Sequence, residues 1–221
     1  MTLTVIIPTL NSGASLPATL AALGRRDQVL IADGGSTDNT AEVGRARNAR
    51  VVQARRGRGN QLCAAAAMAE TEWLLFLHSD TLLENGWRDE TEAFMAVPHN
   101  AERAAVFGFA LDDASTKARR LERWVAWRVR NLGLAYGDQG LLIRKPFYEA
   151  LGGFRPIPLM EDVDLIRRIG RRRLVVLQTR ALTSAARWCR DGWLRRSARN
   201  LGCLTLYFLG VPPRLILRLY G

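Results

Sequence analysis

The sequence predicts an α/β protein with a doubly wound, mainly parallel sheet flanked by helices and a C-terminal helical appendage. Apolar, β-branched runs alternate with stretches of helical apolar spacing up to about residue 80, which is typical of parallel strands joined by right-handed crossovers. The run at residues 73–78 is almost wholly apolar, as expected when helices cover both sheet faces. Residues 191–221 combine arginines with spaced leucines, so we predict a main domain at 1–190 and an amphipathic appendage at 191–221.

The individual elements follow from these patterns. In the first half, strands are predicted at residues 3–7, 28–32, 50–54 and 73–78. The helices between them are predicted at residues 16–23, from the caps at 36–38 to about 47, and at 60–70. In the less regular second half we expect strands at residues 104–111, 140–144 and 174–177. Helices are expected at residues 116–131, 162–169 and 191–208, with a turn at Lys145 and Pro146.

Arginine dominates the charge of the chain. The formal net charge is +11, and Lys117 and Lys145 are the only lysines among 32 basic residues. Guanidinium groups suit phosphates, diphosphates and anionic lipid head groups because they donate paired hydrogen bonds. No helix-turn-helix, zinc-finger or aromatic RNA-binding motif accompanies this charge, so no nucleic-acid partner is expected.

The cysteines and the apolar runs bear on the cellular location of the protein. Cys63, Cys189 and Cys203 form an odd set without metal-ligand spacing, which favours a reducing environment over a disulfide framework. The first residues lack the basic region and cleavage site of a signal peptide, and no apolar run has the length of a membrane span. The expected location is the cytoplasm, in solution or at the inner face of the membrane.

Polar residues follow the first, second and fourth predicted strands. Ligands of doubly wound sheets bind beyond the carboxyl ends of the strands, so these three loops are expected to share one rim. Glycines in the second loop allow a ligand to approach the backbone closely. The candidate ligand-binding residues of the rim are Pro8, Thr9, Asn11, Asp33, Gly34, Gly35, Ser79 and Asp80.

Two carboxylates on this rim suggest specific chemistry. Asp33 either accepts hydrogen bonds from a nucleotide base or ribose, or shapes the glycine turn that follows it. Asp80 follows a buried strand, where a carboxylate is costly unless it meets a cation or strong donors. A hard divalent ion such as Mg²⁺ that bridges two phosphates would meet this need. His78 is a second metal ligand, a donor to the diphosphate, or a core histidine.

Together these loops resemble those of glycosyltransferase family 2. The resemblance rests on Pro-Thr-Leu-Asn after the first strand, Asp-Gly-Gly-Ser-Thr-Asp from Asp33, and His-Ser-Asp-Thr from His78. It implies a GT-A fold, a nucleotide-diphospho-sugar donor, Asp33 near the base, and Asp80 holding Mg²⁺ or Mn²⁺. Most members have a second acid where Gly34 stands and an Asp where His78 stands. Both departures resemble a bacterial subgroup assigned to arsenosugar biosynthesis.

The same resemblance implies roles for residues in the second half. Asp162 would be the base that takes the acceptor's hydroxyl proton in an inverting transfer, and Glu161 would orient the acceptor or tune Asp162. Taken without the resemblance, both acids simply favour the start of a helix. Further candidates for contacting donor or acceptor are Arg58, Gln61, Asp138, Gln139 and Arg187. The two arginines also fit solvent-exposed basic positions.

The appendage is consistent with three arrangements. One helical face carries Leu194, Ala198, Leu201, Thr205 and Phe208. Arginines lie beside this face and again among the leucines that follow Pro213. Residues 194–221 can therefore lie in a membrane interface, pair with a second copy in a homodimer, or pack on the main domain.

These observations favour an inverting, metal-dependent glycosyltransferase with an unknown hydroxyl acceptor, either a small molecule or a lipid phosphate. A nucleotidyltransferase shares the layered fold, but residues 8–13 contain none of the basic side chains that such enzymes usually carry after the first strand. A non-catalytic module that binds anionic ligands or a membrane surface is the third alternative. The acids at every expected rim position argue against that module.

Overall fold

The computed structural model describes residues 2–24 and 26–220, without the side chains of Arg187 and Tyr220. Its strands are β1 (Leu3–Thr9), β2 (Gln28–Asp33), β3 (Arg50–Gln53), β4 (Trp73–Phe76), β5 (Thr81–Leu83), β6 (Ala104–Leu111), β7 (Leu141–Arg144) and β8 (Leu174–Thr183). Its helices are α1 (Leu16–Leu23), α2 (Thr40–Ala46), α3 (Arg58–Met68), α4 (Trp87–Ala96), α5 (Thr116–Leu132), α6 (Lys145–Ala150), α7 (Glu161–Ile169), α8 (Ala186–Asp191), α9 (Trp193–Phe208) and α10 (Pro213–Tyr220).

The strands form one mixed sheet in the order β3-β2-β1-β4-β7-β6-β8-β5. β1 pairs in parallel with β2 and β4, and β2 with β3, which confirms the parallel arrangement predicted for the first half. In the second half β6 and β8 are parallel, but β7 runs antiparallel to β4 and β6, and β5 antiparallel to β8. The strand order reverses beside β1, between β2 and β4. A crevice for ligands is expected at the carboxyl ends of strands that flank such a reversal.

Helices cover both faces of the sheet, and β1 shows how. Ile6 belongs to the apolar cluster that contains side chains of α3, α5 and α7. Val5 and Ile7 belong to the opposite cluster, with side chains of α1 and α4. Successive side chains of a strand point to opposite faces, so a strand covered on both sides is apolar at every position. This is why β1 and β4 appear in the sequence as continuous apolar runs.

Several boundaries differ from the predicted ones, among them those of β4, α6 and β8. β4 ends at Phe76, which leaves residues 77–80 as a loop at the edge of the sheet. Pro146 was predicted to mark a turn, but it lies in the first turn of α6. Proline is tolerated there because its missing N–H has no partner within the helix. β8 extends to Thr183 because its second half pairs with both β5 and β6.

The C-terminal helices pack on the main domain. They contribute Cys203, Leu204 and Ile216 to a small apolar cluster with Met160 and Val163 of the main domain. The predicted apolar face of α9 is a different one and lies at the surface. Residues 194, 198, 201, 205 and 208 are all exposed. Among the residues that the structure describes, no helix has both the length and the hydropathy needed to cross a bilayer.

Gly59, in the first turn of α3, allows close packing that an alanine would prevent. A Cβ there would lie 2.5 Å from the carbonyl oxygen of Arg155 and 2.9 Å from that of Ile157. We expect Gly59→Ala to lower the free energy of unfolding by about 1–3 kcal/mol in urea titrations, because backbone must shift. Gly202→Ala in α9 is the matched control. Its Cβ would meet no heavy atom within 4 Å, so a gain of about 0.5–1 kcal/mol is expected. Equal effects of the two substitutions would contradict this packing argument.

Candidate active site

The loops that follow β1, β2 and β4 meet at the crevice beside β1. Ser79 links two of them, because its hydroxyl donates to Ser12 Oγ at 2.9 Å. Its carbonyl oxygen accepts from Thr19 Oγ1 of α1 at 3.0 Å. The loop after β2 is tied to that after β1 by the amide of Asn11, which donates to Ser36 Oγ at 2.9 Å. These links hold the predicted rim together before any ligand binds.

Asp33 organises the loop that follows β2. The side chain is buried, and its oxygens accept from Thr9 Oγ1 at 3.1 Å, from the amides of Gly35 and Ser36 at 3.2 and 2.9 Å, and from Gln53 Nε2 at 3.3 Å. Burial opposes ionisation, but the hydrogen bonds from Ser36, Thr9 and Gly35 outweigh it and lower the pKa of Asp33. The structure therefore gives Asp33 the role of shaping the loop. Its contact with a nucleotide base stays a prediction.

Gln61 and Asn11 also hold the loops. Gln61 Nε2 donates to the carbonyl oxygens of Thr9 at 2.6 Å and Ala32 at 2.8 Å, across the ends of β1 and β2. The side chain is buried under Gly34, where a Cβ would lie 3.1 Å from the Gln61 amide. Asn11 has a left-handed backbone, with φ of 52°, and its Oδ1 accepts from the amide of Thr37. Both residues position the backbone of the rim.

Two adjacent acids begin α7, and both are in direct contact with Arg58, which lies about a hundred residues earlier in the chain. The Arg58 guanidinium contacts Glu161 Oε1 through Nε and donates from Nη2 to Asp162 Oδ2 at 2.9 Å. Asp162 also accepts from the amides of Gly137 at 2.9 Å and Val163 at 2.8 Å. α7 is thereby joined to the start of α3 and to the segment before β7.

The pKa values of the two acids are shifted in opposite directions because the surroundings of the two side chains differ. Burial raises the pKa of Glu161, and the attraction of Arg58 offsets this only in part. Burial acts in the same sense on Asp162, but Arg58 and the amides of Gly137 and Val163 overcome it and lower its pKa. Like charges in one site push the pKa values apart in this way. Asp162 is thus the more acidic member of the pair.

His78 lies against the same guanidinium. Arg58 Nη1 donates to His78 Nε2 at 2.8 Å, so this ring nitrogen serves as an acceptor for arginine. Gly137 packs on the imidazole so closely that a Cβ would lie 2.7 Å from Nε2 and 3.3 Å from Asp162 Oδ2. Only a glycine fits between these two groups. The predicted direct metal contact of His78 stays a prediction.

Asp80 and Asp138 line the same cavity and are the candidate cation ligands. Asp138 Oδ1 is buried and has no hydrogen-bond partner within the described part of the chain. Burial raises the pKa of Asp138 to about 6, against the attraction of Arg128 and with the help of the nearby charges of Asp162 and Asp80. Across the described ranges, no three His, Cys, Asp or Glu side chains are grouped to hold a metal. One or two carboxylates completed by substrate phosphates are the usual protein ligands of Mg²⁺.

A cavity of about 260 Å³ contains Asp162 of the predicted catalytic pair, whereas Glu161 lies outside its lining. The polar end of its lining is formed by Arg58, His78, Asp80, Asp138 and Asp162. The nucleotide loops with Asp33 and Gln61 lie outside this lining. Gln139 is buried below, and its Nε2 donates to the carbonyl oxygen of Phe107 at 3.0 Å. The Arg187 side chain lies outside the described part of the structure.

Sequence reasoning missed part of this site. Gly137 is not among the predicted residues, and its close approach to His78 has no local sequence signal. Trp188 and Arg196 also line the cavity, from α8 and α9, and neither is among the predicted residues. The pairing of Arg58 with the two acids joins residues about a hundred positions apart, which no spacing rule predicts.

Removing the Arg58 side chain should destabilise the fold, because it leaves the buried Glu161 without its charged partner. We expect Arg58→Ala to lower the free energy of unfolding by about 1–3 kcal/mol, because the buried Glu161 loses a charged hydrogen-bond partner. Adding Glu161→Gln should recover part of this loss, since the neutral amide needs no counter-charge. A double-mutant cycle in urea measures the coupling. Strict additivity of the two single substitutions would contradict the assigned ion pair.

Two solved structures with a similar fold contain bound UDP. S. aureus TarS 1–349 in complex with UDP matches with a TM-score of 0.65 at 18% identity, covering 83% of this chain and 60% of that chain. The glucosyl-3-phosphoglycerate synthase of Mycobacterium tuberculosis in complex with Mn²⁺, UDP and glucosyl-3-phosphoglycerate matches with a TM-score of 0.57 at 20% identity, covering 83% and 70%. These likenesses confirm the predicted GT-A-like α/β fold.

Sequence comparisons agree with the fold. Uncharacterized glycosyltransferases of Mycobacterium bovis and Mycobacterium tuberculosis are 37% identical over 84 residues, which is 38% of this chain and 38% of each relative. The matched part thus spans well under half of these relatives. The model of the family described as glycosyl transferase family 2 matches residues 4–131, more than half of the chain, and includes Asp33, Arg58 and Asp80. The chain belongs to glycosyl transferase family 2.

Proposed function

We propose that this chain transfers a sugar from a nucleotide-diphospho-sugar to a hydroxyl acceptor, with inversion at the anomeric carbon and with help from Mg²⁺ or Mn²⁺. One observation supports this most strongly. Asp80, Asp138 and Asp162 come from three distant stretches of chain and line one cavity beside the strand reversal. Such a convergence of acids is costly in a protein interior unless a cation or a proton transfer uses it.

The cation site of this proposal consists of Asp80 and Asp138, with His78 as a further candidate ligand. The buried Oδ1 of Asp138, which lacks a partner among described residues, supports the assignment. When bound, the divalent cation would neutralise the charge that develops on the departing diphosphate. The Mn²⁺ and UDP in the glucosyl-3-phosphoglycerate synthase structure are consistent with this assignment.

Asp162 is the base of the proposed transfer. Its lowered pKa keeps it ionised at neutral pH, as a proton acceptor must be. The acceptor oxygen forms a bond to the anomeric carbon, the bond from that carbon to the diphosphate oxygen breaks, and the acceptor proton passes to Asp162. Arg58 holds Oδ2 of Asp162 at 2.9 Å and must yield this oxygen as the proton arrives. Glu161 positions Arg58, and through it Asp162.

The donor is proposed to lie across the loops after β1 and β2. Asn11 and the exposed backbone at Gly35 are open to a nucleotide, whereas Asp33 and Gln61 hold these loops from below. Pro8 lies at the base of these loops in β1, opposite Ala32 of β2, whereas the buried Gln139 donates to the backbone of β6 at Phe107. Arg187 is assigned to the diphosphate. The Asp-Gly-Gly-Ser and His-x-Asp forms support placement in the arsenosugar-type subgroup.

The appendage, residues 191–221, is proposed to rest on the inner face of the cytoplasmic membrane. Leu209 is 75% exposed, and Leu215 and Leu219 of α10 are also exposed, next to Arg214 and Arg218. Apolar side chains flanked by arginines suit the boundary between acyl chains and anionic head groups. A homodimer formed through the same surface is the alternative.

Two substitutions test the proposed chemistry. We expect Asp80→Asn and Asp162→Asn each to lower turnover of a productive UDP-sugar at least about 100-fold, because each removes a charge used in the transition state. Asp89→Asn, an exposed acid on α4, is the control and should keep wild-type turnover. Product release is measured with Mn²⁺ present. Wild-type activity in both site variants would refute the assignment.

A ligand-binding measurement tests the metal. UDP at a hundredfold excess over its dissociation constant should stabilise the fold by about 2.7 kcal/mol in the presence of Mn²⁺. Chelation with EDTA, or Asp80→Asn, should remove most of this thermal shift, because the diphosphate loses its bridging cation. An equal shift with and without Mn²⁺ would contradict a metal-dependent donor site.

Vesicle sedimentation tests the membrane contact. Wild-type protein should sediment with phosphatidylglycerol vesicles, and Leu209→Glu should weaken this binding at least about tenfold, because a charge at the interface is costly. Val97→Glu is the control, since Val97 is 47% exposed and follows α4, which packs on the opposite sheet face. If the wild-type protein does not bind vesicles but forms a dimer that Leu209→Glu disrupts, the homodimer is favoured over the membrane contact.

A further inference from the structure

The catalytic cavity continues away from the acids as an apolar groove between α5 and α9. We call it the α5–α9 groove. Its walls are Leu121, Trp124 and Val125 of α5, Leu201 and Leu204 of α9, and Phe109 of β6. The same continuous cavity contains Asp80 and Asp162 at its other end. A molecule whose reactive group reaches Asp162 therefore has an apolar channel for the rest of its length.

Buried polar atoms interrupt this apolar lining without partners. Trp188 Nε1, Arg196 Nε and Asn200 Oδ1 are buried and have no hydrogen-bond partner among the residues that the structure describes. All three residues line the cavity, and Arg196 as a whole is only 6% exposed. Unsatisfied buried donors and acceptors are rare because each costs free energy. Two donors and one acceptor in one wall are suited to an oxygen-bearing group of a ligand.

The outer end of the groove opens onto exposed apolar side chains. Trp124 is 48% exposed and Leu201 54% exposed, although both contribute to the groove wall. Trp124 stacks on the equally exposed Trp127, with ring centroids 5.0 Å apart. Apolar surface thus runs without a break from the cavity to the outside. A soluble polar acceptor needs no such mouth, whereas a hydrocarbon chain entering from an apolar phase does.

We propose that the α5–α9 groove binds the hydrocarbon chain of a lipid acceptor, whose oxygen-bearing head group lies towards Asp162. The inference rests on the proposed function and names the acceptor class for the same site. The lipid oxygen bonds to the anomeric carbon as the bond to the diphosphate breaks, and Asp162 takes the lipid's proton. Trp188, Arg196 and Asn200 satisfy the oxygens of the head group and so position it.

The size of the cavity suits this occupant. An apolar protein cavity of about 150 Å³ suffices to hold benzene. The present cavity of about 260 Å³ therefore holds a head group together with a segment of chain, and the open mouth leaves the remainder of the chain outside. A polar sugar or an organic acid would leave the leucine and tryptophan walls in contact with water.

Tryptophan quenching provides a direct test that does not depend on turnover. Bromo-octanol is titrated against the full chain loaded with UDP and Mn²⁺, and bromobutanol serves as the short-chain comparison. Each buried methylene strengthens binding about fourfold, so the longer alcohol, which has four more methylenes, should bind roughly 250-fold tighter. Leu201→Glu should abolish this preference. Leu194→Glu, on the same helix but outside the groove, should retain it, and Leu194 is 88% exposed.

A second pair of variants distinguishes a blocked groove from a protein that has lost its fold. Ser197→Phe places a ring in the groove, whereas Ala198→Phe places one on the exposed side of α9. The first should weaken bromo-octanol binding at least about tenfold, and both should keep the UDP thermal shift. Equal binding of the two alcohols, with UDP binding intact, overturns the lipid acceptor and leaves the transferase standing. Absence of UDP binding in the wild type overturns both.

Discussion

The burial of two adjacent acids at the start of α7 is the constraint on which the site depends. A carboxylate removed from water is unstable without a counter-charge or strong donors. Arg58 supplies the counter-charge to Glu161 and Asp162 and also contacts His78. Gly59 places Arg58 there, because only a residue without a side chain lets α3 approach the backbone at Arg155 and Ile157. The packing of one helix start thus sets the electrostatics of the whole site.

The direction of β7 determines which acids meet. β7 runs antiparallel to β4, and Leu141 at its start pairs with Phe76 at the end of β4. Residues that precede β7 therefore lie beside residues that follow β4. This places Asp138 near Asp80. Burial is the main cause of the raised pKa of Asp138, and the negative charge of Asp80 adds to it. A parallel β7 would have carried Asp138 to the opposite edge of the sheet. The reversal of one strand thus brings together the two acids of the proposed cation site.

The sequence predicted β1, β2 and β6 because burial on both faces leaves a largely apolar run, which can be recognised without knowing the neighbouring strands. It also predicted the shared rim, since that follows from parallel strands alone. Strand β5 could not be predicted, because three residues carry no periodicity and its partner β8 lies far along the chain. The direction of β7 could not be predicted either, because its partners β4 and β6 lie far from it in the sequence. The expected base contact of Asp33 competes with internal hydrogen bonds that only the folded loop reveals.

A surface helix usually buries apolar side chains and exposes charged ones, but α9 buries an arginine and exposes leucines. This helix belongs both to the appendage and to the wall of the groove. Arg196 is 6% exposed, whereas Leu194, two positions earlier, is 88% exposed. Burial of the arginine is stabilised by Asp191, which its Nη1 contacts at 2.7 Å, and by the ring of Trp188. The exposed leucines have no such compensation in water. An apolar phase on the outer side would supply it, and the same phase would deliver a lipid to the mouth at Leu201. In the two proposals taken together, the outer face of this helix contacts the membrane and its inner face contacts the acceptor.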